Sequence, residues 1–237
     1  MGDFIKSTLV KSDRPVTIGI DEAGRGPVLG YLVYCAMVFY EDTVVHKGFK
    51  DSKKISAKQR EAMACHLINN KYEFICKFNH PDSITHCMVS GEQNLNQISV
   101  NSVVELLSAI TENYPNIKTV YIDALGNCET YKKLLTTKFN HKFVIEQKAD
   151  SKFPIVSAAS IMAKVSRDNT LEEFGSGFGS GYPGDPDTLK WLKEKINKVF
   201  GFPTGVRHSW KTITNLLEER KSKEYTGRLK GFYYSPD

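Results

Sequence analysis

Residues 16–40 read VTIGIDEAGRGPVLGYLVYCAMVFY, and this stretch decides the architecture of the chain. Residues 16–20 are mostly apolar and β-branched, which predicts a short strand that runs directly into the acidic pair Asp21 and Glu22. Residues 31–40 are continuously apolar, β-branched and aromatic, as is typical of a central strand buried on both faces. The stretch therefore predicts two core strands, with carboxylates and a Gly-rich turn at the end of the first.

The rest of the chain alternates between strand and helix patterns. Apolar runs and alternation predict three further strands, at residues 72–78, 119–122 and 142–146. Helical spacing and capping signals predict helices that begin at Ser56 and extend over residues 95–110, 131–138 and about 154–174. The pattern indicates an α/β fold with a mixed five-stranded sheet and flanking helices. Two more amphipathic helices, at roughly 187–200 and 209–221, predict a C-terminal helical extension. We therefore divide the chain into residues 1–184, which hold the sheet, and residues 185–237, which form a helical region and tail packed on it.

The composition is that of a folded domain with reduced thiols. The chain has 237 residues, of which 41% are hydrophobic and 25% charged, so global disorder is excluded. Its formal net charge of +5 favours a polyanionic partner only slightly. The five cysteines are scattered and form no Cys-x-x-Cys pair, which predicts neither a disulfide framework nor a zinc site. The longest apolar run, residues 31–40, is half as long as a bilayer span, so we expect no membrane partner.

Acidic residues follow the ends of three predicted strands. Asp21 and Glu22 follow the first strand, Asp123 follows the fourth, and Asp150 lies just past the fifth. If these strands are neighbours, their carboxylates converge at one edge of the sheet. Gathered carboxylates repel one another, and a divalent cation relieves this repulsion; all-oxygen ligands suit Mg²⁺ or Mn²⁺ better than zinc. Each acid taken alone is better explained as a solvated turn residue. Asp168 is not included in the candidate metal site, because it lies far along a helix.

The Gly-rich turn at residues 24–30 starts one residue after the acidic pair. Its glycines would let the backbone approach a ligand closely, and Arg25 can contact phosphate or sugar oxygens. It is not a Walker A loop, because it lacks the Gly-Lys-Ser/Thr ending, and Leu29 breaks the Gly-x-Gly-x-x-Gly pattern. A phosphate beside two carboxylates would be repelled unless metal ions bridged them, so the combination favours metal-assisted phosphate chemistry. Without further context, such a stretch is more often only a turn.

One motif is specific to a family. Ile20-Asp21-Glu22-Ala23-Gly24-Arg25-Gly26-Pro27-Val28-Leu29-Gly30 closely resembles the signature of the type 2 ribonucleases H, the ribonuclease HII family. Shorter motifs resemble those of the family in the same order: Asp51-Ser52-Lys53, Tyr121-Ile122-Asp123, Lys148-Ala149-Asp150, Ser157-Ala158-Ala159-Ser160-Ile161, Ala163-Lys164-Val165 and Gly179-Ser180-Gly181-Tyr182-Pro183. The similarity runs from about Thr17 to Asn215. Residues 179–186 and 206–210 are most similar to the catalytic A subunit of the eukaryotic enzymes, and the Gly-Arg-Gly motif argues against the type 3 branch.

The resemblance implies a fold, a cofactor and an activity. The fold is a ribonuclease H-like mixed five-stranded sheet with flanking helices and a C-terminal helical extension. The catalytic residues and metal ligands are implied to be Asp21, Glu22, Asp123 and Asp150. They would bind Mg²⁺ or Mn²⁺, with two ions per site once substrate is bound. The implied activity is endonucleolytic cleavage of the RNA strand of RNA/DNA hybrids, and at single ribonucleotides in duplex DNA, leaving 3′-hydroxyl and 5′-phosphate ends. It would remove ribonucleotides and RNA primers during DNA replication.

The resemblance also implies which residues contact the substrate. The substrate-binding set comprises Gly24, Arg25, Gly26, Ser52, Lys53, Lys164 and Tyr182. The Gly-Arg-Gly loop would read the 2′-hydroxyl that marks a ribonucleotide, and Tyr182 would stack on the neighbouring deoxyribose. In an unrelated protein, Tyr182 would be a loop anchor, and the lysines and Ser52 ordinary surface residues. We interpret Ser157 and Ser160 as packing the long helix beneath the site, whereas Arg207 and His208 either touch the duplex or are simply solvated.

Partners and location follow from the same resemblance. The nucleic-acid partners are RNA/DNA hybrids and ribonucleotide-containing duplex DNA. Similarity to eukaryotic catalytic subunits implies two accessory subunits in a heterotrimer, docked on the C-terminal region near the aromatic cluster Gly231-Phe232-Tyr233-Tyr234. It also implies a nuclear location, or a cytoplasmic one in a prokaryote. Two alternatives remain: a non-catalytic nucleic-acid-binding subunit of the same fold, and a phosphohydrolase acting on another phosphodiester. A binding module, however, has no need of four repelling carboxylates.

Overall fold

A computed structural model describes residues 3–42, 55–124, 126–197 and 201–219. The strands in chain order are β1 (Phe4–Ser7), β2 (Val16–Ala23), β3 (Leu32–Tyr40), β4 (Glu73–Asn79), β5 (Ile117–Asp123) and β6 (Phe143–Glu146). They form one sheet in the order β1-β4-β3-β2-β5-β6. Strand β2 pairs antiparallel with β3 and parallel with β5, which pairs parallel with β6. The predicted mixed sheet is confirmed, and the three strands that carry acids at or just beyond their carboxyl ends are neighbours.

The predicted number of strands was one too low, because β1 was missed. This strand lies at the edge of the sheet, antiparallel to β4. It is four residues long, and its Ile5 is 46% exposed. A segment of this length, with two apolar residues followed by two polar ones, is too short to show an apolar run or an apolar alternation. Hydrogen bonds to β4 make it a strand, and such a long-range cause leaves no local pattern.

The helices follow the predicted order with changes at their ends. They are α1 (Ala57–Asn69), α2 (Pro81–Ser90), α3 (Leu95–Asn113), α4 (Cys128–Lys138), α5 (Ala149–Lys152), α6 (Pro154–Thr170), α7 (Pro186–Lys195) and α8 at residues 211–219. The capping box of Ser56 and Gln59 is present at the start of α1. Helix α6 ends before the predicted position and continues as a 3-10 turn. Helix α2 was not predicted, although Ile84, Cys87 and Met88 lie at helical spacing and a proline at its start and Gly91 after its end mark it.

Helices cover both faces of the sheet, and this assigns each acidic side chain to a face. Val16, Ile18 and Ile20 of β2 lie in the core cluster shared with α3, whereas the opposite face packs against α1 and α6. A Cβ atom at Gly19 would lie 2.6 Å from the backbone carbonyl of Ile155, so β2 and α6 are in close contact. Because side chains alternate along a strand, Asp21 and Glu22 point to opposite faces.

A third core cluster connects the Gly-rich turn with the C-terminal region. It joins Val28 and Leu29 to residues on both sides of position 184, namely Phe178, Trp191, Leu192, Phe202, Val206 and Ile213. The C-terminal helices therefore pack on the turn that follows β2, while the domain boundary at residue 184 stays a prediction. Within the described ranges, no helix is both long and apolar enough to cross a membrane.

Candidate active site

Three aspartates meet at the carboxyl ends of β2, β5 and β6. Asp21, Asp123 and Asp150 each offer a carboxylate oxygen, and these oxygens lie within 4.8 Å of one another. Asp21 lies near the end of β2, Asp123 is the last residue of β5, and Asp150 belongs to the short helix after β6. The convergence predicted from the strand ends is therefore present for these three residues. Their catalytic role stays a prediction.

Backbone and side-chain hydrogen bonds hold two of these carboxylates in place. Asp123 Oδ1 accepts a hydrogen bond from the backbone N–H of Ala149 at 3.0 Å, which ties helix α5, and with it Asp150, to the end of β5. Asp21 Oδ1 accepts from the backbone N–H of Glu22 at 2.7 Å. The hydroxyl of Ser160 also donates to Asp21, so this buried serine orients a site residue as well as packing α6.

Glu22 lies beside the aspartate cluster rather than within it. Its side chain leaves β2 on the opposite face from Asp21, and it borders one cavity together with Asp123. Burial, and then the charge of Asp123, raise the pKa of Glu22 to about 7. Burial, and then the charge of Glu22, raise the pKa of Asp21 well above its usual value. These buried, mutually repelling oxygen donors fit a divalent cation such as Mg²⁺ or Mn²⁺.

The Gly-rich turn beside the carboxylates needs its glycines. Gly24 has a φ of 83°, and a Cβ atom there would clash with the backbone oxygen of Tyr31. Backbone hydrogen bonds attach the turn to two later segments. The N–H of Val28 donates to the oxygen of Gly181 at 2.8 Å, and the N–H of Gly30 donates to the oxygen of Gly205 at 2.9 Å. The turn is therefore fixed by contacts that are remote in sequence.

Arg207 is a structural anchor of this turn and was wrongly interpreted from the sequence. Its side chain is fully buried, so it neither touches a duplex nor is solvated. It donates to the backbone oxygens of Gly30 at 2.7 Å, Gly24 at 2.6 Å and Arg25 at 3.2 Å. No local pattern distinguishes this arginine from a surface one. His208 is half-buried, and its N–H donates to Thr85 Oγ1 at 3.1 Å.

Of the seven predicted substrate-binding residues, five border one cavity and two lie outside the described residues. Arg25 uses its guanidinium to hold the first turn of α3, donating to Ser99 Oγ and, at 2.5 Å, to Asn96 Oδ1, so its predicted contact with substrate stays a prediction. Tyr182 is 46% exposed and packs over the turn, since a Cβ atom at Gly26 would lie 3.3 Å from its ring. A cavity of about 560 Å³ brings together Glu22, Gly24, Arg25, Gly26, Lys164 and Tyr182. Ser52 and Lys53 lie outside the described residues.

Comparisons with known proteins agree on one family. The model of the family described as Ribonuclease HII matches residues 18–213. The A subunit of ribonuclease H2 from Arabidopsis thaliana is 39% identical over 87% of this chain and 75% of its own length. Ribonuclease HII of Methanocella arvoryzae is 41% identical over 89% of this chain and 96% of its own length. The crystal structure of ribonuclease H2 from Pyrococcus horikoshii OT3 has a TM-score of 0.75 at 32% identity, covering 87% of this chain and 99% of that one.

The family match extends over the aspartate cluster, the Gly-rich turn and the sheet from residue 18 onward. This chain has a similar sequence identity, 36–41%, to relatives named as A subunits of ribonuclease H2 and to a relative named ribonuclease HII. The comparisons therefore show the family without separating its branches. The family model covers both the strands that carry the acids and the loop that carries Tyr182. The chain belongs to the ribonuclease HII family and is a type 2 ribonuclease H.

Proposed function

We propose that the chain cuts the RNA strand of RNA/DNA hybrids and single ribonucleotides embedded in duplex DNA, leaving 3′-hydroxyl and 5′-phosphate ends. One observation carries this proposal. The Gly24-Arg25-Gly26 turn and the ring of Tyr182 border the same cavity as Glu22, next to the aspartate cluster. Groups suited to contacting a ribose thus lie beside groups suited to holding the cleaving ions, which is what cutting at a ribonucleotide requires.

The carboxylates would hold Mg²⁺ or Mn²⁺, with two ions once substrate is bound. Asp21, Asp123 and Asp150 are the residues that the geometry favours as ligands, and Glu22 lies next to them. Such ions supply a nucleophilic water at neutral pH and stabilise the negative charge that develops on the leaving oxygen. The contribution of the protein is orientation: the Ala149 N–H fixes the Asp123 carboxylate, and the Ser160 hydroxyl fixes that of Asp21.

Recognition of the ribose would come from the Gly-rich turn and Tyr182 acting together. The turn is rigid before substrate arrives, because Arg207 binds the backbone oxygens of Gly24 and Gly30. A turn that is already held in place loses little conformational entropy on binding, which favours affinity for the ribose. Lys164 borders the same cavity and is suited to a backbone phosphate.

We also propose that the chain is the catalytic subunit of a larger nuclear complex that removes ribonucleotides and RNA primers during DNA replication. Curated relatives from Arabidopsis thaliana and Homo sapiens are named as one lettered subunit of ribonuclease H2, which supports an assembly. Two accessory subunits would dock on the C-terminal region; the aromatic cluster at residues 231–234 lies outside the described residues. Full activity of the isolated chain, unchanged when cell extract is added, would argue against obligatory partners.

Three duplexes of one sequence test the activity. The purified chain with Mg²⁺ is given a DNA duplex with one ribonucleotide, an RNA/DNA hybrid, and an all-DNA duplex, and the product ends are analysed. We expect cutting of the first two, with 3′-hydroxyl ends, and none of the third. Asp42→Asn, which changes an exposed carboxylate far from the cluster, serves as the control variant. Equal cutting of all-DNA duplex would favour a general phosphodiesterase, and binding without cutting would favour a non-catalytic subunit.

A further inference from the structure

Arg167, near the end of α6, lies between the two loops that border the cavity. It is only 7% exposed. A Cβ atom at Gly24 would lie 3.2 Å from its Cγ, and one at Gly181 would lie 3.4 Å from its Nη2. The ring of Tyr182 lies 6.0 Å from its Cζ. The guanidinium therefore lies where the Gly-rich turn and the Tyr182 loop meet.

The charge of Arg167 is incompletely compensated. Its Nη1 donates to Asp168 Oδ1 at 3.1 Å. Its Nε and Nη2 are buried and make no hydrogen bond to any residue that the structure describes. Buried donors without acceptors are costly, and most of all when they carry charge. An anion that approaches this guanidinium would therefore be bound strongly.

The surroundings of Arg167 indicate which anion fits. Arg167 and Asp168 line the cavity of about 560 Å³ together with Arg60, Lys164 and Tyr182. Three of these side chains are basic; the acidic side chains in the cavity wall are Asp168, which is 48% exposed, and Glu22 beside the aspartate cluster. A phosphodiester has a single negative charge and oxygens that match the fork of a guanidinium. The cavity wall is therefore suited to the backbone of a nucleic-acid strand.

We propose that Arg167 binds a backbone phosphate of the substrate and that Asp168 covers this arginine in the free protein. The inference rests on the proposed function and adds to it a phosphate subsite beside Tyr182. Asp168 Oδ1 accepts the hydrogen bond of Arg167 Nη1 in the free protein, and a phosphate oxygen would take its place there. Because Asp168 is half-exposed, it can turn to solvent when the phosphate arrives. Its charge then repels the incoming strand, so Asp168 lowers affinity for every duplex.

Binding measurements on opposite members of the pair test the proposal. All variants carry Asp123→Asn, so that the labelled probe, a DNA duplex with one ribonucleotide, is not cut in Mg²⁺. We expect Arg167→Gln to raise Kd at least about tenfold and to reduce the slope of log Kd against log salt concentration by about 0.9, the value of one lost phosphate contact. Arg167→Lys keeps the charge and should restore most of the slope. Asp168→Asn should lower Kd by about threefold or more.

A second ion pair in the chain provides matched controls. Arg14 and Asp42 are 2.5 Å apart, are exposed, and flank the ends of β2 and β3 opposite the aspartate cluster. Arg14→Gln and Asp42→Asn make the same changes of net charge and should leave Kd and its salt slope unaltered. Thermal unfolding confirms that each variant is folded. The measurement on Asp168→Asn tests the proposal even if replacing the buried Arg167 unfolds the protein.

The outcomes separate this inference from the proposed function. Binding by Asp168→Asn that is no tighter than that of the parent, or an unchanged salt slope in Arg167→Gln, overturns the phosphate subsite and leaves Arg167 a structural residue. The same shifts are expected with an all-DNA duplex, because both duplexes have the phosphate. If the shifts occur but the unmodified chain does not cut at ribonucleotides, the proposed function fails while the subsite stands.

Discussion

Replacing Asp123 by asparagine tests the charge of the aspartate cluster with little change in its geometry. An asparagine Oδ1 can accept the same hydrogen bond from the Ala149 N–H that Asp123 accepts at 3.0 Å. The charge of Asp123 is the largest cause after burial of the raised pKa of Glu22, and it also raises the pKa of Asp21. The substitution therefore removes a repulsive charge and keeps the link to α5.

The size of the effect follows from the pKa of Glu22. Folding raises this pKa from 4.5 to about 7. At about 1.4 kcal/mol per pH unit, the ionised form costs the metal-free protein about 3 kcal/mol above pH 7. Because the folded pKa is the higher one, the cost is absent below pH 4.5 and grows as the pH rises to 7. Asp123 accounts for part of it. We expect metal-free Asp123→Asn to be more stable than the parent by on the order of 1 kcal/mol at high pH.

Urea unfolding in EDTA between about pH 4 and pH 8 measures this difference, and a Mg²⁺ titration follows. We expect the variant to gain little stability from Mg²⁺ and to cut at least about a thousandfold more slowly, since a bound ion is worth several kcal/mol. Asp42→Asn makes the same chemical change at an exposed carboxylate and should behave like the parent. The reasoning is refuted if Asp123→Asn is less stable than the parent at pH 8 without metal, or cuts normally with it.

Substitutions at three further positions have expected outcomes. Tyr182→Ala should lower kcat/KM for a single ribonucleotide more than for a uniform hybrid, since a stacked ring contributes on the order of 1–3 kcal/mol, and Tyr182→Phe should be milder. If Tyr182→Ala leaves the ratio of kcat/KM for the two substrates unchanged, the residue is only a loop anchor. Arg207→Gln leaves buried oxygens of the Gly-rich turn without donors, at about 1–3 kcal/mol each, so the unfolding temperature should fall by several degrees; a normal melting curve contradicts this. Gly24→Ala should destabilise the fold well beyond Gly126→Ala, because both have positive φ but a Cβ at Gly126 meets no described atom within 4 Å. Equal melting temperatures would refute the clash.

The acidic site could be predicted because its causes are local. Each aspartate lies at or just past the end of a strand whose apolar pattern is readable, and parallel neighbours bring such ends together. The position of Glu22 beside the cluster was also available from the sequence. Val16, Ile18 and Ile20 share one face of β2, and two-residue alternation places Glu22 on that face and Asp21 on the other.

The contacts that fix the site could not be predicted, because they join residues that are far apart in the chain. Arg207 and its acceptor Gly30 are separated by 177 positions, and nothing around Arg207 indicates that it is buried. The same holds for Ser160, whose hydroxyl reaches Asp21 across the contact between α6 and β2. The tertiary packing of distant segments decides these contacts, so the local sequence does not predict them.

The anchoring of the Gly-rich turn shows why the C-terminal region belongs to the site. Several supports of the turn come from beyond residue 200: the Gly205 oxygen, the backbone N–H and guanidinium of Arg207, and the Trp210 Nε1–H, which donates to the Gly26 oxygen at 3.1 Å. The turn is thus positioned by the segment between α7 and α8 as much as by β2. A change in how these helices pack would move the backbone that is proposed to read the ribose. The accessory subunits that we propose to dock on the C-terminal region would therefore act on substrate recognition through a path a few residues long, without touching the carboxylates.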